Sequence, residues 1–330
     1  IILTDSGILM TYISADVERG AANSSVLKYM TYDEMTGTWS EAKQLDDNGT
    51  LDWFSKLYSF GGKTYVAYSQ SDKIFSNDAS VENMLSEMKI TVAEYDASTN
   101  SFVNLTDIST DDARYNSMPE LVSIGGKLAA LWVNSPAEDM FNQNNDNSVM
   151  YSVYDNGTWS TAATAASGLN TVTSVIAGDI DGKTYFCICV DSDSNLSTAG
   201  DSKVVFVDVN GSQTSITEGN VANVHFGKLP FIEKNVFYWY ENGDIKYADS
   251  PDTTVSVFEE SNINVSNDFS VASDRVLFTT GSAAGGASVY QTVFNNGIWT
   301  SPVVVETADG NISSFTACDG ILVYSDTVLT

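Results

Sequence analysis

One β-hairpin recurs seven times along the chain, and no other feature restricts its fold as strongly. In each copy a strand ends, turns on Gly, Asp or Lys, and restarts as a run of aromatic and β-branched residues. The copies are Asp5-Ser6-Gly7-Ile8, Gly61-Gly62-Lys63, Gly125-Gly126-Lys127, Asp181-Gly182-Lys183, Glu233-Lys234, Asp274-Arg275 and Asp319-Gly320-Ile321. Measured between the last residues of successive copies, the intervals are 55, 64, 56, 51, 41 and 46 residues. Several strands per unit at this spacing predict the blade of a β-propeller rather than a helical solenoid. The expected fold class is all-β, with about seven four-stranded antiparallel blades, six complete and the seventh partial; a six-bladed propeller is the alternative.

Within the units, alternation of period two and enrichment in aromatic and β-branched residues mark four strands each. In the second unit they fall at 53–60, 64–69, 89–95 and 102–106, and in the third at 117–124, 128–133, 149–154 and 159–163. The second strand is the most regular, as in Thr64-Tyr65-Val66-Ala67-Tyr68 and Asn235-Val236-Phe237-Tyr238-Trp239. Such runs suit strands buried on both faces between neighbouring blades. The expected helical exception is 78–88, where Asp78 can cap and Val81, Leu85 and Met88 recur at helical spacing.

Composition excludes several classes of partner. The chain carries 15 Lys plus Arg against 43 Asp plus Glu, a net charge of −28, which repels nucleic acid. Its apolar runs are of strand length, far below the roughly 20 residues of a membrane-spanning helix, so no membrane insertion is expected. Because the repeat runs from end to end, residues 1–330 are expected to form a single, monomeric domain. Ile1-Ile2-Leu3 reads as strand without an initiator Met or signal peptide, so the chain is expected to be part of a longer secreted bacterial protein. Cys187 and Cys189 share one face of a strand and Cys318 lies far away in sequence, so all three are expected to be core residues, and the lone His225 a strand residue rather than a catalytic base.

A second signature lies at the turn between third and fourth strands. Tyr32-Asp33 is followed by Gly37-Thr38-Trp39-Ser40, Tyr154-Asp155 by Gly157-Thr158-Trp159-Ser160, and Phe294-Asn295 by Gly297-Ile298-Trp299-Thr300; Tyr95-Asp96 with Phe102 is a degenerate copy. Here the chain resembles the Asp-box propellers, a class that includes sialidases and secreted bacterial sugar-active or sugar-binding proteins. The resemblance implies that Trp39, Trp159 and Trp299 plug between blades as structural clamps. It also implies an arginine triad in any sialidase-like enzyme. The three arginines are Arg19, Arg114 and Arg275, of which Arg275 sits on a short turn at the wrong face, and the Arg-Ile-Pro motif of that family is absent.

Loop length separates the two faces of the blades. Turns joining first to second strands are short and carry Lys63, Lys127, Lys183, Lys234 and Arg275, whereas the loops at 15–24, 70–88, 134–148 and 191–202 are long. Those four loops hold 12 acidic residues against Arg19 and Lys73. Long loops on a rigid scaffold are where binding concentrates. On that face the second and third units begin with Asp52-Trp53 and Arg114-Tyr115, where other units begin with pairs such as Asn170-Thr171. Two aromatic platforms, Trp53 and Tyr115, beside the Asp52 carboxylate and the Arg114 guanidinium suit a sugar ring, whose C–H face stacks while its hydroxyls bond. Trp53 and Tyr115 are expected to be partly exposed. Asp191-Ser192-Asp193-Ser194-Asn195 alternates oxygen ligands as calcium loops do, making Asp191, Asp193 and Asn195 the expected ligands of a Ca2+ ion.

Three functions fit these features. The foremost is extracellular or cell-surface binding of a glycan or a cell-surface protein through the long-loop face. The second is a glycoside hydrolase or lyase, which needs two carboxylates about 5 to 10 Å apart. The third is a scaffold whose acidic face meets a basic partner.

Overall fold

The computed structural model describes residues 1–4, 7–46, 48–109, 113–138, 146–196, 198, 200–229, 234–257, 265–272, 275–280, 287–295, 297–308, 310–318 and 321–327. The expected turn residues Asp5, Ser6, Glu233, Asp274, Asp319 and Gly320 and the loop acid Asp139 lie outside the described residues, as does the side chain of Cys318. The chain divides into two compact units, Ile1–Thr171 and Val172–Thr330.

The first unit contains three sheets. The first blade is β1 (Ile2–Thr4), β2 (Gly7–Ala15), β3 (Ser25–Asp33) and an interrupted fourth strand, β4 (Thr38–Trp39) and β5 (Lys43–Gln44), both pieces pairing with β3. The second is β6 (Asp52–Phe60), β7 (Lys63–Ser71), β8 (Met88–Asp96) and β9 (Ser101–Asp107), with the helix α1 (Val81–Leu85) between β7 and β8. The third is β10 (Tyr115–Ile124), β11 (Lys127–Ser135), β12 (Asn147–Asp155) and another interrupted fourth strand, β13 (Thr158–Trp159) and β14 (Ala163–Leu169).

The second unit continues the pattern. Its fourth blade is β15 (Val172–Ile180), β16 (Lys183–Asp191), β17 (Ser202–Asp208) and β18 (Gln213–Gly219), and its fifth is β19 (Val221–Leu229), β20 (Lys234–Glu241), β21 (Asp244–Ser250) and β22 (Thr253–Ser256). The sixth is β23 (Val265–Val271), β24 (Arg275–Thr280), β25 (Ser288–Asn295), β26 (Ile298–Trp299) and β27 (Val303–Thr307). Strand pairing within the blades is antiparallel. Where a partial seventh blade is expected, β28 (Asn311–Cys318) and β29 (Ile321–Thr327) form a two-stranded hairpin, and no seventh four-stranded blade is present among the described residues.

Turn chemistry explains why the hairpins close where they do. Gly61-Gly62, Gly125-Gly126 and Asp181-Gly182 are two-residue turns with positive φ at both positions, 60° and 76°, 57° and 73°, and 49° and 76°. Two-residue turns of that handedness match the twist of the flanking strands and favour Gly, Asn or Asp. Three of the lysines that open second strands are tied down within their own blades: Lys63 Nζ lies 2.7 Å from Glu94 Oε1, Lys127 Nζ 2.7 Å from Asp155 Oδ2, and Lys234 pairs with Asp249.

The core lies between blades. β7 and β11 are buried at every position after their first lysine. Leu9, Leu27 and Tyr29 of the first blade meet Val66, Tyr68 and Tyr95 of the second, and Tyr65, Ile90 and Val92 of the second meet Leu121, Leu128 and Trp132 of the third. Trp132 is fully buried, and its Nε1–H donates to Asn116 Oδ1 at 2.9 Å. Asn116 passes the link on to the second blade, its Nδ2 donating to the Met88 carbonyl at 3.1 Å. Between the fourth and fifth blades, Gly178 lies against Phe226: a Cβ at position 178 would sit 2.2 Å from that ring. Cys187 and Cys189 are buried and free, and burial pushes the Cys189 thiol up to about 11, which keeps it unreactive. His225 is half-buried on β19 with its ring 4.5 Å from that of Phe269.

Two features depart from the expectation. The helix spans only Val81–Leu85 and is capped by Ser80, whose Oγ accepts from Asn83 N, not by Asp78; Met88 already belongs to β8. An irregularity also interrupts the first strand of successive blades, at Trp53/Ser55, Ser117/Glu120, Val172/Ser174, Ala222/His225 and Val265/Phe269. In three of these the intervening residue is a non-glycine at positive φ: Phe54 at 45°, Met118 at 53° and Asn223 at 50°. Such bulges bend the strand and re-aim a side chain; nothing in the hydrophobic pattern announces them.

Candidate functional site

Trp53 and Tyr115 do meet, as their places at adjacent strand starts imply: their rings are 6.3 Å apart in an edge-on arrangement at 84°. They do not form an open platform. Tyr115 is 7% exposed and Trp53 half-buried, because the long loops fold down over them. Leu51, Phe75, Leu85, Met88 and Ala137 pack with Tyr115 into a small second core, with Ala22, Ala79 and Met84 at its margin. Asn23 pins the first loop to the second: its Nδ2 donates to the Phe75 carbonyl and its Oδ1 accepts from Phe75 N, both at 2.8 Å. A Cβ on Gly20 would sit 2.3 Å from Asn77 Oδ1, so these two loops touch with no room between them. Trp53 is thus partly exposed, as expected, but packs at the margin of this second core. Trp53→Ala is expected to destabilise by about 1 to 3 kcal/mol, read as a shift in the urea midpoint.

The polar members of the predicted quartet are occupied as well. Arg114 donates to Asn134 Oδ1 at 2.5 Å, to Asp146 Oδ2 at 3.1 Å and to the Asp146 carbonyl at 2.6 Å, linking the two ends of its own blade's loop. Asp52 is 1% exposed; its Oδ2 accepts from Leu27 N at 2.9 Å, and its Oδ1 is buried without a hydrogen-bond partner. Burial pushes the Asp52 carboxyl up to about 7, the nearby Asp46 raising it further while the Leu27 N–H and Arg19 pull it down. Arg19 itself spans to the Thr50 carbonyl at 3.1 Å and Gln44 Oε1 at 3.0 Å. Asp52, Trp53 and Tyr115 thus pack at the joints between blades, and Arg114 bonds within its own.

The loop after β16 brings three carboxylates together. One oxygen each from Asp191, Asp193 and Asp201 lies within 4.8 Å of the others. Asn195, expected as the third ligand, contributes its backbone N–H instead, donating to Asp191 Oδ1 at 3.0 Å and Asp193 Oδ1 at 2.8 Å. Asp201 takes its place because the β16–β17 hairpin returns the chain beside Asp191. All-carboxylate oxygen donors are the chemistry of a hard divalent cation such as Ca2+.

An open groove lies elsewhere, between the second and third blades. It encloses about 730 Å3, within the range of small-ligand sites, and is lined by Tyr65, Glu94, Asn104 and Asp107 of the second blade and by Tyr154 and Trp159 of the third. Tyr154 and Trp159 pack with ring centroids 5.2 Å apart, and Tyr65 follows at 6.4 Å from Tyr154. The same aromatic pair recurs as Tyr32–Trp39 at 5.2 Å and Phe294–Trp299 at 5.1 Å. All three tryptophans are half-buried, where full burial is expected of a clamp. Each packs against the aromatic ring of its own hairpin while staying partly uncovered, and Trp159 lines the groove. Asp107 Oδ1 accepts from Thr91 Oγ1 at 2.5 Å, and Glu94 is held by Lys63. In the sequence Trp159 reads as a structural clamp and not as part of a site, and its partners on β8 and β9 give no signal, because groove-lining positions look like any solvated ones.

Six four-stranded antiparallel blades, with second strands buried on both faces, define a β-propeller. No protein-family model and no curated protein matches the chain. Solved structures do share its fold. A puromycin hydrolase aligns with a TM-score of 0.56 at 14% identity, over 95% of this chain and 49% of its own. The Trypanosoma rangeli sialidase in complex with the inhibitor DANA gives 0.52 at 10%, over 90% and 52%. The Penicillium chrysogenum α-L-arabinanase complexed with arabinobiose gives 0.53 at 12%, over 92% and 91%. The chain spans about half the length of the first two. Among the described residues, no helix is long and apolar enough to cross a membrane.

Proposed function

We propose that this propeller recognises glycans, as an extracellular or cell-surface binding module, and that the groove between its second and third blades is the sugar site. The groove carries the reading. Its aromatic wall of Tyr154 and Trp159 faces polar groups on β8 and β9, the pairing that a sugar needs for its C–H face and its hydroxyls. Two solved structures that share the fold are, by name, a sialidase and an arabinanase, so related scaffolds serve sugar chemistry. Glycoside hydrolysis is the second reading, since Glu94 and Asp107 both line the groove. Both carboxylates are already engaged, by Lys63 and by Thr91, which favours binding over proton transfer.

A glycan array followed by titration calorimetry tests the proposal. Trp159→Ala is expected to weaken sugar binding by about 1 to 3 kcal/mol, the scale of one aromatic anchor. Binding that is indifferent to Trp159 would move the site out of the groove, and release of reducing sugar from the bound glycan would favour the hydrolase.

A further inference from the structure

We infer that the groove takes an uncharged saccharide and rejects one bearing carboxylates, a uronate or a sialate, and that Glu94 sets this choice. The inference rests on the groove being the sugar site. Glu94 lines not only the groove but also an adjoining cavity of about 450 Å3 between the first and second blades, shared with Lys63, Asp96 and Ser98. Glu94 is thus common to the lining of both spaces. The charged residues that line them are Glu94, Asp107, Asp96 and a single cation, Lys63.

That cation is already committed. Lys63 Nζ lies 2.7 Å from Glu94 Oε1, and the pairing raises the lysine above its ordinary range. A sugar carboxylate entering the groove meets Glu94 and Asp107 with no unpaired lining cation among the described residues to answer it, and like charges brought together across a binding surface are strongly disfavoured. The net charge of −28 repels the same ligand at longer range. A neutral sugar meets none of this opposition. Its hydroxyls can donate to the carboxylates, and hydrogen bonds to an ionised acceptor are the strong ones. The amide of Asn104, on the exposed fourth strand of the blade, supplies a donor for the sugar oxygens.

If Glu94 sets the choice, removing its charge should release Lys63 and reverse the preference. The probes are xylohexaose, arabinohexaose and maltohexaose as neutral chains, and hexagalacturonate and sialyllactose as acidic ones, titrated at low and high salt. The wild-type chain is expected to bind a neutral probe at least about tenfold more tightly than either acidic one at low salt, a gap that salt narrows. Glu94→Gln is expected to close or invert the gap, and adding Lys63→Gln to that variant is expected to abolish the gain for acidic probes. Thermal melts confirm that each variant is folded. Tighter binding of an acidic probe by the wild type, or a Glu94→Gln variant with the wild-type ratio, overturns the inference and leaves glycan recognition standing. Absence of binding to every saccharide, on the array and in titration, overturns both.

Discussion

Trp132→Ala is expected to destabilise the first unit by about 3 to 5 kcal/mol, the cost of emptying a large and fully buried aromatic site. The loss exceeds that of an ordinary cavity because Trp132 is also a donor. Its Nε1–H and Asn134 Nδ2, at 3.0 Å, share Asn116 Oδ1, and Asn116 reaches across to the second blade. Alanine leaves a buried oxygen with one donor fewer and slackens the joint between blades. Trp132→Phe separates the two effects: it restores most of the volume without the N–H, and should recover more than half of the loss. Urea denaturation of both variants reads the difference, and a Trp132→Ala protein as stable as wild type would contradict this account of the core.

Asp52→Asn is expected to act in the opposite direction at neutral pH. A carboxyl pushed from 3.8 to about 7 holds its proton more tightly in the folded state than in the unfolded one. Folded molecules then carry the extra proton between those two values, so stability falls as pH rises through that window, by about 1.4 kcal/mol per unit where the difference is complete. Above about pH 7 both states are ionised and the penalty levels off, at roughly 4 kcal/mol at most. Asparagine has no proton to lose. The variant should therefore gain on the wild type as pH rises from 4 to 8, with the gap opening across the window and constant beyond it. Denaturation curves of the two proteins that stay parallel over that range would show that Asp52 titrates normally.

Legibility in the sequence differs from one residue to the next. The blades were legible because alternation and turn residues are local. β6, predicted from residue 53, begins at Asp52, and β8, predicted over 89–95, runs Met88–Asp96. The fate of Trp53 and Tyr115 was not legible. Their position at strand starts on the long-loop face can be read from spacing, but whether Phe75 and Leu85 fold over them depends on tertiary packing that no period encodes. The same holds for the acidic loop, where Asp191 and Asp193 follow from alternation and Asp201 enters only through the return of a hairpin. Charge misled in a related way. The loops count as strongly acidic, yet Asp72 pairs with Lys89 at 2.6 Å, Glu87 with Lys73 at 2.8 Å and Asp146 with Arg114, so part of that charge is spent internally. The groove combines residues far apart in the sequence, from Tyr65 to Ala162, each unremarkable alone.

Gly178 and Phe226 carry a consequence for how this sequence can drift. With a Cβ at 178 placed 2.2 Å from the ring at 226, neither position is free to vary by itself: a larger residue at the first demands a smaller one at the second. Relatives that have lost the phenylalanine should have lost the glycine too, and the reverse. Such a pair is a record of contact that history writes without any structure. Found in a family of diverged sequences, it would fix which blade follows which and in what register, even where identity has fallen to the level separating this chain from the propellers it resembles.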